Sequence, residues 1–373
     1  MWLAAAAVAA GWGAMYSIGR WTLAFMLAPI HADVRIWYVA ATAGVRYGWS
    51  TIYDLDTLRF LSSSFPAHEQ GVDTLTAYIS PPLWAWLFVP FTTVPEPVAY
   101  GLWSLVSLGA LVWAWHIAAP YSGLAKFTLL LLALATWPVL ESFYFGQPVI
   151  LLAALGALVW WLCAHDRPNA AGAVLAVATA IKPHLVILVP VALLVSGRYR
   201  PLVSWAVVCT LLAAAFVVSL GTSGLVSWWH ALKYVESNPE NAYYTLGGQL
   251  GFGPLTYVLL AVQGAAALLI ARWRRSSLET VFAVGLIGSV TVGIYLHQSD
   301  YSMLVLAGWL ILRTSPPLWH RLWLLIGFIT MQALTLGPPT PQLIWDAAWL
   351  AILVVTSLYL TAAHEPVARP EHV

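Results

Sequence analysis

An ionisable side chain at the centre of a membrane helix costs about 2.5–3.5 kcal/mol, so each one kept between two apolar runs invites a chemical reading. Asp33 follows the first run almost at once, in His31-Ala32-Asp33-Val34-Arg35-Ile36-Trp37-Tyr38. A carboxylate at the mouth of a helical bundle can take the proton of a hydroxyl nucleophile. Asp is also a favoured helix cap, and the two roles are compatible. Gln147, in Phe145-Gly146-Gln147-Pro148, opens another run. Its amide can hydrogen-bond a sugar or a phosphate, or only cap a helix. Lys182, in Ile181-Lys182-Pro183-His184, is flanked by long apolar runs and needs an anion. Asp33, Glu141 or a ligand phosphate would serve, the last being well matched to a flexible point charge. A lysine snorkelling to a lipid headgroup is the plain alternative. His297 and Asp300, in Tyr295-Leu296-His297-Gln298-Ser299-Asp300-Tyr301, share one face if a helix continues there. A histidine held on a phosphate or hydroxyl is one reading, and a loop histidine beside a capping Asp is the other. A metal site has little support, because no second His or Cys stands at ligand spacing.

The elements that hold these residues follow from composition. The chain has 373 residues, 61% apolar and only 8% charged, with 16 basic and 15 acidic side chains and a net charge of +1. A soluble domain carries about 25% charged residues, so this chain cannot clothe a water-facing surface. That excludes a soluble enzyme, a nucleic-acid binder and a disordered scaffold. Apolar runs of about 20 residues recur from end to end, as a bundle of membrane-spanning helices requires. Many of the 22 tryptophans lie near loop ends, where indole favours the bilayer interface. Cys163 and Cys209 sit inside apolar runs and read as packing residues. No P-loop, Rossmann glycine fingerprint, Gly-x-Ser-x-Gly elbow or HExxH motif is present.

The first run, 2–30, reads as an uncleaved span with Arg20 near one end, because no cleavage site and polar mature chain follow it. Residues 31–80 form the longest polar stretch, in which apolar residues from Val34 to Val45 recur at helical spacing. The spacing predicts an amphipathic helix lying on the membrane, and a second over 56–65. Further apolar runs cover 82–94, 98–118, 127–140, 149–163, 170–181, 185–195, 202–220, 254–271, 278–295, 303–312, 318–336 and 343–361. The run at 82–94 reaches roughly 20 Å at 1.5 Å per residue, short of a ~30 Å hydrocarbon core, so it enters and returns or does not span. The runs around Lys182 form either a hairpin tipped by Lys182-Pro183-His184 or one helix kinked at Pro183. About 11–13 spans are expected. Arg167, Arg198, Arg200, Arg272, Arg274, Arg275, Arg313 and Arg321 belong on the cytoplasmic side. Residues 31–80, 141–147, 221–253 and 296–300 then share the opposite side. The reading is one all-α domain over 1–361, a polytopic membrane bundle, with a disordered cytoplasmic tail at 362–373.

Taken in order, these pieces resemble the polytopic GT-C glycosyltransferases, and most nearly glycosyltransferase family 87, the polyprenyl-phosphate-mannose-dependent α-mannosyltransferase type. The residues that carry the likeness are Asp33, Tyr38, Ala40-Ala41, Gly48, Ile52-Tyr53-Asp54, Tyr78, Pro81-Pro82, Pro90, Gly146-Gln147, Gly172, Lys182-Pro183, and His297 through Asp300-Tyr301. The resemblance implies a lipid-phosphate-linked sugar as donor, a lipid or glycan acceptor, and an active site on the non-cytoplasmic face of the plasma (inner) membrane. It gives Asp33 the role of general base, and Lys182 and His297 that of holding the donor phosphate. Gln147, Arg35, Tyr38, His184, Asp300 and Tyr301 complete the substrate-binding candidates, with no metal and no cofactor. One departure matters. Enzymes of this type often pair two acids in the first outer loop, whereas Val34 and Arg35 follow Asp33 here. A single carboxylate suits one-base inversion. The rival readings are a secondary transporter or lipid flippase, expected to show internal repeats, and a non-catalytic membrane subunit. No repeat of fixed period is visible in the sequence.

Overall fold

Where proline and glycine interrupt apolar sequence, helices start and stop. The computed structural model describes residues 1–27, 32–63, 77–236 and 238–362. In chain order the helices are α1 (Trp2–Leu27), α2 (Ala32–Tyr47), α3 (Leu55–Ser63), α4 (Pro82–Phe88), α5 (Glu96–Ala118), α6 (Gly123–Ala135) and α7 (Trp137–Phe145). Then follow α8 (Val149–Ala164), α9 (Pro168–Ile181), α10 (Leu188–Val195), α11 (Arg200–Glu236) and α12 (Leu246–Leu250). The last are α13 (Pro254–Trp273), α14 (Leu278–Thr291), α15 (Met303–Arg313), α16 (Leu318–Ala333) and α17 (Thr340–Ala362). Among the described residues there is no strand. Proline opens α4, α5, α7, α9 and α13, where its fixed φ suits the first turn and its missing N–H would have had no partner.

The chain is an all-α polytopic membrane protein. Among the described residues, five helices, α1, α5, α11 (to Tyr234), α13 and α17 (to Tyr359), are long and apolar enough to cross a bilayer, or six if α6 and α7, bent by 58° at Thr136, count as one span. The 11–13 spans expected from the sequence counted apolar runs without knowing their helical length. Runs such as α8, α9 and α14 fold as helices of 14 to 16 residues. At 1.5 Å per residue these reach roughly 21–24 Å. They lie inside the bundle: α14 is buried on every face from Thr280 to Thr291, as a helix apolar all round must be. By contrast, α11 is exposed along nearly its whole length, and so presents apolar side chains to lipid.

Three points of comparison with the sequence expectation bear on the site; the first and third are differences, and the second agrees. First, α2 does not lie on a surface. Every residue from Val34 to Gly44 is buried against protein. Trp37 packs edge-on against Trp84 and Trp103. Arg35 forms a bidentate pair with Glu96 at 2.9 and 3.0 Å. A merely interfacial helix would leave one face to lipid; this one has partners on all sides. Second, the run at 82–94 is α4 followed by a short helical turn, Val89–Thr93, and is not a span. Third, the chain stays helical beyond 220: α11 breaks at Gly221 (φ 61°, ψ −173°) and resumes to Glu236, where a loop was expected. The second interfacial helix expected at 56–65 is α3. Residues 64–76 of that stretch and the expected tail beyond 362 lie outside the described residues.

Candidate active site

Asp33 sits in the first turn of α2, one residue inside the helix. An acid is favourable there because the backbone N–H groups point at it, and Arg46 occupies the last turn in the complementary place. Gln147 is set by the break between α7 and α8. Gly146 ends α7 in the left-handed region (φ 71°), and a Cβ there would lie 2.3 Å from Val34 Cγ2. Only glycine lets the α7–α8 corner approach α2 so closely. The consequence is contact: Gln147 Nε2 donates to Asp33 Oδ2.

Lys182 caps α9. Chain reversal follows immediately, through the turn Pro183–Leu185 into α10. Arg198, beyond α10, returns close enough to Cys163 at the end of α8 for its charge to be felt there. Of the two sequence readings, the geometry is thus the hairpin with Lys182 at its tip. Gly172 permits it, since a Cβ there would fall 2.0 Å from the Pro201 carbonyl oxygen where α9 and α11 cross. Lys182 Nζ donates to Gln147 Oε1 at 3.3 Å and forms an ion pair with Asp300. Its partner is therefore neither Asp33 nor Glu141. Because Gln147 has an acceptor on one side and a cation on the other, its amide orientation follows from its neighbours.

Asp300 lies in the turn Gln298–Ser302 and is fully buried. Its Oδ2 accepts from the His297 backbone N–H at 2.9 Å, and His184 Nε2 stands 3.8 Å away. The His297 ring is within 2.9 Å of the Tyr295 hydroxyl. His297 and Asp300 thus meet through backbone capping, where the sequence suggested a shared helical face. Asp33, Gln147, Lys182, Asp300, His184 and His297 come together. Three candidates, Arg35, Tyr38 and Tyr301, bond other partners. Arg35 is held by Glu96 and Tyr38 donates to the Val94 carbonyl at 2.9 Å, both at the buried α2–α5 contact. Tyr301 donates to the Tyr244 carbonyl at 2.8 Å, and so ties the 221–253 segment to the turn that carries Asp300. Gln298, which also contacts Tyr244 and Trp137, belongs to the same wall. Sequence reasoning passed over Gln298 and Glu96; an acid in the first turn of a long apolar helix was the available signal for Glu96.

The electrostatics separate the two aspartates. Burial pushes the Asp33 carboxyl above its ordinary value, and His297, Gln147 and Lys182 only partly offset it. Burial opposes the Asp300 charge too, but Lys182 with His184 and His297 outweighs it, so Asp300 lies below the usual carboxylate range. Burial lowers His297, which keeps its ring neutral near pH 7. The two carboxyls are thus shifted in opposite directions, a contrast that acid–base sites also use. Asp33 is half-buried, and its Oδ1 has no hydrogen-bond partner among the described residues. Lys182 uses two of its three donors and keeps one. Among the described residues, no three of His, Cys, Asp and Glu converge on a metal position.

The cluster occupies one end of the bundle. Arg167 stands at the far end of α8 and α9, about 21–24 Å away along 16 and 14 residues. Arg313 likewise ends α15 at the pole opposite Asp300. A cavity of about 430 Å³ lies at that basic pole, beside His116, Lys126, Glu279 and Arg313, away from the cluster.

The family model for glycosyltransferase family 87 matches residues 78–297. The chain belongs to glycosyltransferase family 87. The matched stretch contains Glu141, Gln147, Lys182, His184 and His297, with Asp33 before it and Asp300 just after. A curated relative, the polyprenol-phosphate-mannose-dependent α-(1-2)-phosphatidylinositol pentamannoside mannosyltransferase of Mycobacterium tuberculosis, is 30% identical over 238 residues, covering 55% of this chain and 51% of its own length. The chain thus spans about half the length of that relative. No solved structure matches it.

Proposed function

We propose that this family 87 chain moves a sugar, mannose in the first instance, from a polyprenyl-phosphate donor to a lipid or glycan acceptor, with inversion and with Asp33 as general base. The observation that carries this is the one carboxamide, Gln147, that separates a basic carboxylate from a cation. The relative's dependence on polyprenol-phosphate-mannose supports the donor class. In inversion the base takes the proton of the acceptor hydroxyl as its oxygen attacks the anomeric carbon, and the bond to phosphate breaks on the opposite face. Asp33 Oδ1 takes that proton. The departing phosphate gains charge, and the third Lys182 donor and the neutral His297 ring stabilise it there. Such contacts act more strongly on the transition state than on the ground state. Asp300 pairs with Lys182 and shares its field. An end of the bundle opposite Arg167 and Arg313 suits a non-cytoplasmic site by the positive-inside rule, and the prenyl tail stays in lipid while the headgroup enters.

The test is transfer from polyprenyl-phosphate-mannose by purified protein in lipid nanodiscs, with Asp33→Asn alongside. A general base contributes about 10²–10⁴-fold, so the variant should lose at least a hundredfold in kcat with its unfolding midpoint retained. Full activity in Asp33→Asn overturns the mechanism. Absence of transfer by the wild-type protein from every polyprenyl-phosphate sugar overturns the activity.

A further inference from the structure

Glu141 has no part in the mechanism above, yet it stands in the same cluster. It lies on α7, one turn before the Gly146-Gln147 corner. Its carboxyl is near enough to Asp33, Asp300 and Lys182 for their charges to bear on it, and the Ser299 backbone N–H is turned towards it. The role the sequence offers it, counter-ion to Lys182, is filled by Asp300. One of its oxygens, Oε2, is buried and has no hydrogen-bond partner among the described residues. A buried polar atom without a partner costs about 1–3 kcal/mol, and such atoms in folded proteins call for an explanation. Ser142, the next residue on α7, bonds the Pro138 carbonyl at 2.8 Å and meets Ser302 Oγ at 3.2 Å. Among the described residues, Ser299 Oγ and His184 Nε2 in the same cluster are likewise buried without a hydrogen-bond partner, as is Asp346 Oδ2.

We infer that Glu141 is a specificity-determining residue that accepts a hydrogen bond from a hydroxyl of the donor sugar. This rests on the reading of the site as a sugar-transfer centre. The geometry assigns the donor ring because Glu141 feels both ends of the site at once. Asp33 marks the side of attack and Lys182 with Asp300 the side of departure, so a group beside all three flanks the saccharide between them. A carboxyl oxygen there supplies an acceptor for a hydroxyl and leaves the anomeric carbon untouched. No bond is made or broken at Glu141.

The experiment compares wild-type protein, Glu141→Ala and Glu141→Gln with polyprenyl-phosphate-mannose and its four monodeoxy analogues, reading kcat/KM for each. In the wild type, one deoxy donor is expected to react about ten- to a hundredfold more slowly, the range for a buried acceptor left without its partner. Glu141→Ala is expected to lose a similar factor with the intact donor and almost nothing with that deoxy donor, so that discrimination at this hydroxyl disappears. Glu141→Gln, which preserves shape, falls between and guards against misfolding of the alanine variant. Equal losses with all five donors, or no loss with any, overturn the inference while leaving Asp33 chemistry intact. Wild-type protein inert with every donor overturns the site reading itself, and the inference with it.

Discussion

Replacing Lys182 by methionine should separate its structural role from its chemical one. Asp300 is completely buried, and Lys182 is about 12% exposed. Without the ammonium, the carboxylate retains the His297 N–H at 2.9 Å, while His184 at 3.8 Å is too far for a hydrogen bond. Breaking a buried pair by removing one partner costs about 3–5 kcal/mol. Asp300 can escape part of that by taking up a proton, and each unit its pKa climbs is worth about 1.4 kcal/mol. The sign follows from its present state. A carboxyl held below its unfolded value stabilises the fold above the ordinary carboxylate range, and that contribution fades as pH falls through the folded value. In Lys182→Met the pKa lies above the unfolded value, so the sign reverses and the variant is least stable at high pH. Unfolding of the purified protein in detergent, followed at pH 5.5 and pH 8, should therefore show a larger deficit at pH 8. Lys182→Met/Asp300→Asn should recover most of the stability at both pH values, because the buried charge is gone and the Asn oxygen still accepts from His297. It should not recover transfer, because no cation meets the donor phosphate. A single variant within about 0.5 kcal/mol of wild type, the range of an ordinary surface change, would refute the pair's energetic weight. Recovery of activity in the double variant would refute the role of Lys182 towards phosphate.

Gly146→Ala should lower stability by at least the roughly 1–2 kcal/mol of a left-handed non-glycine residue and cut transfer more than tenfold, since its Cβ drives Val34 and Gln147 apart; Gly109→Ala, with open space around it, is the matched control in the same assays. The acid limb of the kcat/KM profile should titrate above 3.8, the ordinary Asp33 value, because burial raises the base. Gln147→Leu, which removes a donor to the ionised form, should move that limb further up in pH. Arg35→Met should destabilise the fold by about 3–5 kcal/mol, and Arg35→Met/Glu96→Met should regain more than half of it, as measured by unfolding in detergent.

The sequence by itself determined the solvent and the fold class. With 8% charged residues there is no surface for water, and backbone hydrogen bonds in lipid leave helices as the economical answer. It also isolated the candidate side chains, because a costly charged or polar group stands out beside an apolar run. Asp33, Gln147, Lys182 and Asp300 were all visible in this way. Their pairing was not. Residues 33 and 147, or 182 and 300, meet only because the α7–α8 corner closes on α2 through Gly146 and because the chain reverses at Lys182. Periodicity records which face of one helix is apolar; it carries no record of what covers that face. Hence α2 read as an interfacial helix, although Trp84, Trp103 and Glu96 from distant elements enclose it. The same limit hid the counter-ion of Lys182 and the unpaired Glu141 oxygen. Both depend on distances between segments more than a hundred residues apart, or on the absence of a neighbour, and only packing in three dimensions decides either.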